Sequence, residues 1–219
     1  MKSDSFSKLP KQVITGLYVI TDGRFEPDRG HIAITAAAIA GGAPVVQLRE
    51  TNLADRDLLE VARRIRTLTL DAGITFIINN RLDIAIACNA DGLHIGQDDF
   101  PASAARKILG PSAIIGVSTS NVEEALKAET DGADYVGVGP VFSTMTKLDA
   151  GEAVGLETVT RIKQAVRLPV VAIGGISISN IRSVALAGAD SAAVISAVTG
   201  APDMAGAVKA LSEEFRPGS

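Results

Sequence analysis

Gly132-Ala-Asp-Tyr-Val-Gly-Val-Gly-Pro-Val-Phe-Ser-Thr-Met-Thr-Lys147 joins three kinds of sequence in one stretch. The apolar run Tyr135–Val138 reads as a buried strand. Ahead of it, Gly132 can end a helix in the left-handed conformation, and the small residues that follow allow a tight entry into the strand. Behind it, Thr144, Thr146 and Lys147 crowd two hydroxyls and one ammonium onto a loop where the strand has just ended. Hydroxyls donate to phosphate oxygens, and lysine brings a mobile point charge. Turning the chain does not require that combination, so the loop is read as an anion-binding segment presented by a strand.

The entry phrase recurs as Gly41-Gly42-Ala43-Pro44, Asn89-Ala90-Asp91-Gly92 and Gly188-Ala189-Asp190. Strand-like runs accompany it at Leu17–Thr21, Val45–Leu48, Thr75–Asn79, Gly92–Ile95, Ile114–Val117, Val170–Ile173 and Ser191–Ile195. Helical patterns lie between them, as in Asp55–Asp71, where Leu58, Leu59, Ala62, Ile65 and Leu68 recur at helical spacing. The uneven spacing describes a repeated architectural unit rather than a solenoid. About eight such units point to an α/β fold, a single (β/α)8 TIM barrel. The competing doubly wound sheet lacks its glycine fingerprint after the first strand. The expected organisation is a polar N-terminal leader over residues 1–12 and one barrel domain over 13–219.

Composition agrees. The chain has 219 residues, 47% hydrophobic and 4% aromatic with no Trp, so the core must be mainly Ala, Val, Ile and Leu. A net charge of −4 without a basic stripe argues against general nucleic-acid binding. No apolar run reaches the length of a membrane span. Cys88 is the only cysteine, so no intrachain disulfide forms, and the first residues carry no signal-peptide core. The expected location is cytoplasmic.

Barrels carry their sites at the carboxyl ends of the strands, which makes the polar residues there a physical test. Gln47 and Arg49 stand at the second strand end, Asn79 and Asn80 at the third, and His94-Ile-Gly-Gln-Asp-Asp99 along the fourth. Ser118 follows the fifth, Thr144, Thr146 and Lys147 the sixth, Gly174-Gly175 the seventh and Ser196 the eighth. The last two ends form a candidate phosphate site, in which glycines let backbone N–H groups approach an anion. The blander reading is a tight turn and a helix cap. Arg49 and Lys147 can clamp a second anion; otherwise Arg49 pairs with Glu50 or another carboxylate, and Lys147 is a solvated loop residue. Asp98 and Asp99 either form a solvated turn, cap the helix beginning near Pro101 or, beside a diphosphate, offer carboxylate to Mg2+. His94, inside an apolar strand, is read as a hydrogen-bonded structural residue. Cys88 reads as core, and His31 as a surface helix residue. Tyr18 and Asp22 lie near the first strand without a readable role.

These residues, in their order, resemble the thiamine-phosphate synthase (thiamine-phosphate pyrophosphorylase) family from about Leu17 to the last helix. The likeness rests on Val46-Gln-Leu-Arg-Glu50, Ile78-Asn-Asn-Arg81, Ala90-Asp-Gly-Leu-His-Ile-Gly-Gln-Asp-Asp99, Gly116-Val-Ser118, Gly137–Lys147 and Ala172-Ile-Gly-Gly-Ile176. The resemblance implies a Mg2+-assisted transferase that joins hydroxymethylpyrimidine diphosphate to hydroxyethylthiazole phosphate, giving thiamine phosphate and pyrophosphate. By that likeness Gln47, Arg49, Asn79, Ser118 and Lys147 contact the pyrimidine diphosphate, with Arg49, Lys147 and Ser118 as the catalytic set. Asp99 and Asn80 hold the metal. Thr144, Thr146, Gly174, Gly175, Ile195 and Ser196 hold the thiazole phosphate. The implied partners are small molecules, with neither nucleic acid nor membrane, and self-association stays open.

The chain departs from the family pattern at Thr51, where lysine is usual, and at Asn80, where aspartate is usual. The changes have opposite sign, so the local charge is expected to be conserved. Two other functions compete with the synthase. A thiazole tautomerase is expected to carry an acid–base histidine near the fifth strand, where this chain has Ser118-Thr-Ser-Asn121. A noncatalytic sensor of thiamine intermediates would use the same pockets without turnover. Sugar-phosphate epimerases would need a clearer acid–base pair.

Overall fold

Short, near-continuous apolar runs suit parallel strands buried on both faces and covered by helices, which is how this chain folds. A computed structural model describes residues 13–23, 30–144 and 152–215. Its strands are β1 (Gly16–Asp22), β2 (Val45–Arg49), β3 (Thr75–Asn79), β4 (Gly92–Ile95), β5 (Ile114–Thr119), β6 (Tyr135–Val138), β7 (Val170–Ile173) and β8 (Ser191–Val194). They alternate with α1 (His31–Ala40), α2 (Asp55–Ala72), α3 (Leu82–Ala87), α4 (Ala102–Leu109), α5 (Val122–Thr130), α6 (Gly155–Ala165) and α7 (Ile181–Leu186), and α8 (Ser196–Thr199) and α9 (Met204–Glu214) follow β8. The strands pair in sequence order and close from β8 back to β1, all in parallel. This is the expected (β/α)8 barrel.

Strand boundaries differ from the expectation where side chains turn polar before the backbone ladder stops. β1 runs on to Asp22 and β2 to Arg49, paired to each other, and β5 runs to Thr119, with Ser118 opposite Gly137. Ser118 is therefore inside a strand, not after it. β8 ends at Val194, one residue short of the expected limit.

Alternation along each strand separates two cores. Val46, Leu48, Phe76, Ile78, Leu93 and Ile95 point outward to the helices. Tyr18, Val45, Ile77, Ile114, Tyr135, Val171 and Ala193 fill the barrel. Stepping by two toward the carboxyl ends places Gln47 and Arg49 above Val45, Asn79 above Ile77, and Ser118 above Ile114. The same step places Ile173 above Val171 and Ile195 above Ala193. The rim is thus polar and charged along β1–β5, and apolar with glycine along β6–β8.

The entry phrase has a second role that its sequence reading missed. Asp91, Asp134 and Asp190 each accept a hydrogen bond from a backbone N–H of the preceding strand, Phe76 at 2.8 Å, Ile115 at 2.8 Å and Val170 at 2.7 Å. Each also meets a cation from a helix: Arg66 at 2.8 Å, Arg106 in close contact, and Lys163 at 2.7 Å. Three charge-assisted clamps therefore join β3 to β4, β5 to β6 and β7 to β8 at the end opposite the rim. The phrase before β2 ends in Pro44 instead, whose carbonyl accepts from Thr75 N–H at 3.0 Å.

Candidate active site

A row of hydrogen bonds crosses the barrel beneath the polar half of the rim. Gln47 Nε2 donates to the Tyr18 hydroxyl at 2.7 Å, and the Tyr18 and Tyr135 hydroxyls lie 2.9 Å apart. His94 Nδ1 is 2.9 Å from the Tyr135 hydroxyl, and its Nε2 is 3.0 Å from Ser118 Oγ. The row links β2, β1, β6, β4 and β5, and joins two of the expected substrate contacts, Gln47 and Ser118. Burial pushes the pKa of both tyrosines up, so they remain neutral hydroxyls. Glycine makes the space: a Cβ on Gly116 would sit 2.0 Å from Tyr135 Cζ, and one on Gly137 would sit 3.0 Å from His94 Cε1. His94 is hydrogen-bonded on both ring nitrogens, as a structural histidine would be. Tyr18, which had no readable role, is a buried link.

Arg49 is half-buried at the end of β2, with Nη1 3.6 Å from the Oδ2 of buried Asp22. That separation is an ion pair without a hydrogen bond. Of the expected partners, Glu50 or another carboxylate, the structure pairs Arg49 with the latter, because Glu50 is engaged elsewhere. Glu50 Oε2 accepts from His31 Nε2 at 2.9 Å, and its Oε1 accepts from the Thr51 and Asn52 N–H groups at 2.6 and 2.5 Å. Burial raises the Glu50 pKa, but the Asn52, His31 and Thr51 donors outweigh it and hold the carboxyl below its usual range.

His31 is therefore not a surface helix residue. It is buried at the first position of α1, and its Nδ1 lies 2.7 Å from Thr21 Oγ1. The helix begins against the end of β1, so its first side chain turns inward. A Cβ on Gly23 would meet Glu50 Oε2 at 1.8 Å, so glycine at 23 admits the carboxylate.

On the neighbouring strands, Asn79 is half-buried and Asn80 exposed. Asn80 has φ of 59°, a left-handed conformation that Asn tolerates, and its N–H donates to the His94 carbonyl at 2.8 Å. Asp99 is also exposed, and its Oδ2 accepts from Gly96 N–H at 2.7 Å. It does not cap α4, whose N-cap is Pro101 with no side-chain cap bond. Among the described residues, no group of three or more His, Cys, Asp or Glu is arranged to hold a metal ion. No helix among them is long and apolar enough to cross a membrane.

The other half of the rim is made by backbone. Gly174 and Gly175 have φ of 102° and 64°, and a Cβ on either would strike Pro140 at 2.5 Å or Ser143 O at 2.7 Å. Val141 N–H donates to Ile173 O at 2.8 Å and Phe142 N–H to Gly174 O at 3.0 Å, which pins the loop after β6 onto the turn after β7. Asn180 tightens this turn, donating to Gly175 O at 2.9 Å while accepting from Ser177 N–H at 2.8 Å. Asn180 was missed in the sequence, where an Asn five residues after Gly175 gives no signal by itself. Ile195 is the N-cap of α8 and Ser196 its exposed first residue. Thr144 is half-buried beside this turn's loop, while Thr146 and Lys147 lie outside the described residues.

A family model described as thiamine monophosphate synthase matches residues 17–198. A thiamine-phosphate synthase from Moorella thermoacetica is 53% identical over 197 residues, covering 90% of this chain and 94% of that protein. One from Chloroflexus aurantiacus is 49% identical over 195 residues, covering 89% and 90%. The solved structure of a thiamine phosphate pyrophosphorylase from Pyrococcus furiosus superimposes with a TM-score of 0.85 at 42% identity, covering 92% of this chain and 95% of that one.

Proposed function

This chain belongs to the thiamine monophosphate synthase family, and from that premise we propose that it joins hydroxymethylpyrimidine diphosphate to hydroxyethylthiazole phosphate, releasing pyrophosphate. The observation that carries the reading is the divided rim: charged and hydrogen-bonding side chains on β1–β5 on one side, and the backbone turn of glycines that follows β7 on the other. Gln47, Asn79 and Ser118 hold the pyrimidine, and Arg49 with Lys147 receives the negative charge that grows on the departing diphosphate. Thr144, Thr146, Gly174, Gly175, Ile195 and Ser196 hold the thiazole phosphate. Ionisation of the pyrimidine and capture by the thiazole nitrogen need no side-chain nucleophile, only alignment and charge stabilisation.

Mg2+ fits the donors at the β3 and β4 ends. Asn80 offers an amide oxygen and Asp99 a carboxylate, both exposed, and Asp99 Oδ1 has no partner among the described residues. A hard cation that keeps several waters needs little more from protein, and it would supply positive charge to the diphosphate. We place the enzyme in the cytoplasm, acting on small molecules.

The test is to incubate the protein with both phosphorylated heterocycles and Mg2+ and assay thiamine phosphate and pyrophosphate. Arg49→Ala is expected to lower kcat/KM by about 10²-fold or more. Binding without product would indicate a sensor, and isomerisation of the thiazole phosphate alone a tautomerase. Thr51→Lys and Asn80→Asp, made singly and together, test the charge compensation through turnover and Mg2+ dependence. Aspartate tolerates the left-handed backbone at 80, so the second change perturbs charge more than structure. Independent effects on both measurements reject compensation.

A further inference from the structure

Ser118 Oγ and His94 Nε2, 3.0 Å apart, have the spacing of a nucleophile and its general base. The buried row behind them decides which atom carries the proton. Each hydroxyl has one hydrogen to give. Gln47 Nε2 donates to Tyr18, so Tyr18 must pass its own hydrogen to Tyr135; the reverse would strand a buried O–H without an acceptor. Tyr135 then donates to His94 Nδ1, which leaves the ring hydrogen on Nε2, directed at Ser118 Oγ.

We propose that Tyr18, Tyr135 and His94 are positioning residues, a one-way hydrogen-bond relay that makes the Ser118 hydroxyl a donor toward the barrel mouth and prevents His94 from acting as its base. The role of Ser118 toward substrate rests on the synthase reading; the direction of the relay does not. No bond is made or broken by the relay. It fixes the one hydrogen that Ser118 can give.

The chain has two histidines, His31 and His94, so selective 15N labelling of histidine gives two rings to follow, assigned with a His31→Gln variant. In the full-length protein without substrate, His94 is expected as the Nε2–H tautomer with Nδ1 hydrogen-bonded. Tyr135→Phe, which keeps the ring under Gly116, should move the Nδ1 resonance, and Tyr18→Phe should move it in the same sense. An Nδ1–H tautomer, or a signal indifferent to both variants, overturns the relay.

Kinetics give an independent arm. Tyr135→Phe is expected to lower kcat/KM for the pyrimidine diphosphate about tenfold, and to have no further effect once Ser118→Ala has been made. Equal losses in both backgrounds also overturn the proposal. If the wild-type protein forms no thiamine phosphate, the synthase reading fails while the tautomer measurement still decides the relay.

Discussion

Gly116→Ala is the sharpest test of the interior. Outside special backbone positions, replacing a glycine with alanine stabilises a fold by about 0.4–1 kcal/mol through the unfolded chain, and Gly116 does not have a positive φ. Here the sign should reverse. The new Cβ would lie 2.0 Å from Tyr135 Cζ and 2.4 Å from its hydroxyl, directly opposite on the neighbouring strand. The ring has no room to withdraw, because it is fully buried between Tyr18 and His94, with ring centroids 6.1 and 5.5 Å away. Overpacking a closed core costs about 1–3 kcal/mol. Displacing the hydroxyl from Tyr18 and His94 adds about 1 kcal/mol for each hydrogen bond. The expected loss is about 3–5 kcal/mol, which for a domain of this size lowers Tm by roughly 6–20 °C. Thermal unfolding followed by circular dichroism reads this directly. In a Tyr135→Leu background the obstructing ring is gone, so Gly116→Ala should cost under about 0.5 kcal/mol. A Tm within about 2 °C of wild type, or the same penalty with and without Tyr135, would refute the packing account.

Four other outcomes follow from contacts elsewhere in the fold. Asp134→Asn keeps an acceptor for Ile115 N–H but removes the charge facing Arg106, and should destabilise by about 1–3 kcal/mol in urea unfolding. Asp131→Asn, which disrupts a more exposed pair with Lys127, should cost less than about 0.5 kcal/mol. Glu50 has a depressed pKa, so its contribution is present above the ordinary carboxylate range and is lost as pH falls through its lower folded-state value. Glu50→Gln should therefore lower Tm at neutral pH, with the two proteins converging in acid. Burial pushes the Cys88 thiol up to about 11, so it should resist Ellman's reagent at pH 8 until denaturant is added, and its contribution to stability should fade as pH climbs from the ordinary thiol range toward 11.

The barrel was legible because parallel strands covered on both faces read as unbroken apolar runs, and their ends fell within a residue or two of those runs. The rim was legible for a related reason. A polar residue directly after such a run has nowhere to go but the strand end, which singled out Arg49, Asn79 and Ser118. What escaped depends on closure of the chain. Tyr18 and Tyr135 are separated by 117 positions, and only the closed barrel makes them neighbours. His31 looked exposed because a short helix reveals little of how its first turn meets a strand, and its partner Glu50 lies 19 positions away. The clamp carboxylates Asp91, Asp134 and Asp190 carried a recoverable signal. Each stands 25 to 28 positions after a basic residue on a helix, a spacing that repeats with the strand–helix unit.

A serine beside a histidine invites a mechanism in which the serine attacks, and the surrounding groups argue against it. A base must be able to take a proton, yet the only acceptor nitrogen of His94 left by the row faces Tyr135, not Ser118. The two tyrosines cannot relieve this by ionising, since burial holds both as neutral hydroxyls. The interior therefore fixes the direction of its hydrogen bonds and keeps charge out. At this end of the barrel the charge stands on the rim instead, where Arg49 lies near Asp22 without a hydrogen bond between them, as the proposed capture of an anion requires. That division suits a substitution driven by leaving-group stabilisation. The substrate supplies both the electrophile and the departing charge, and the protein needs only to orient one ring and receive the diphosphate. An acid–base isomerase would require the opposite arrangement, with a titrating group directed into the mouth and free to exchange its proton.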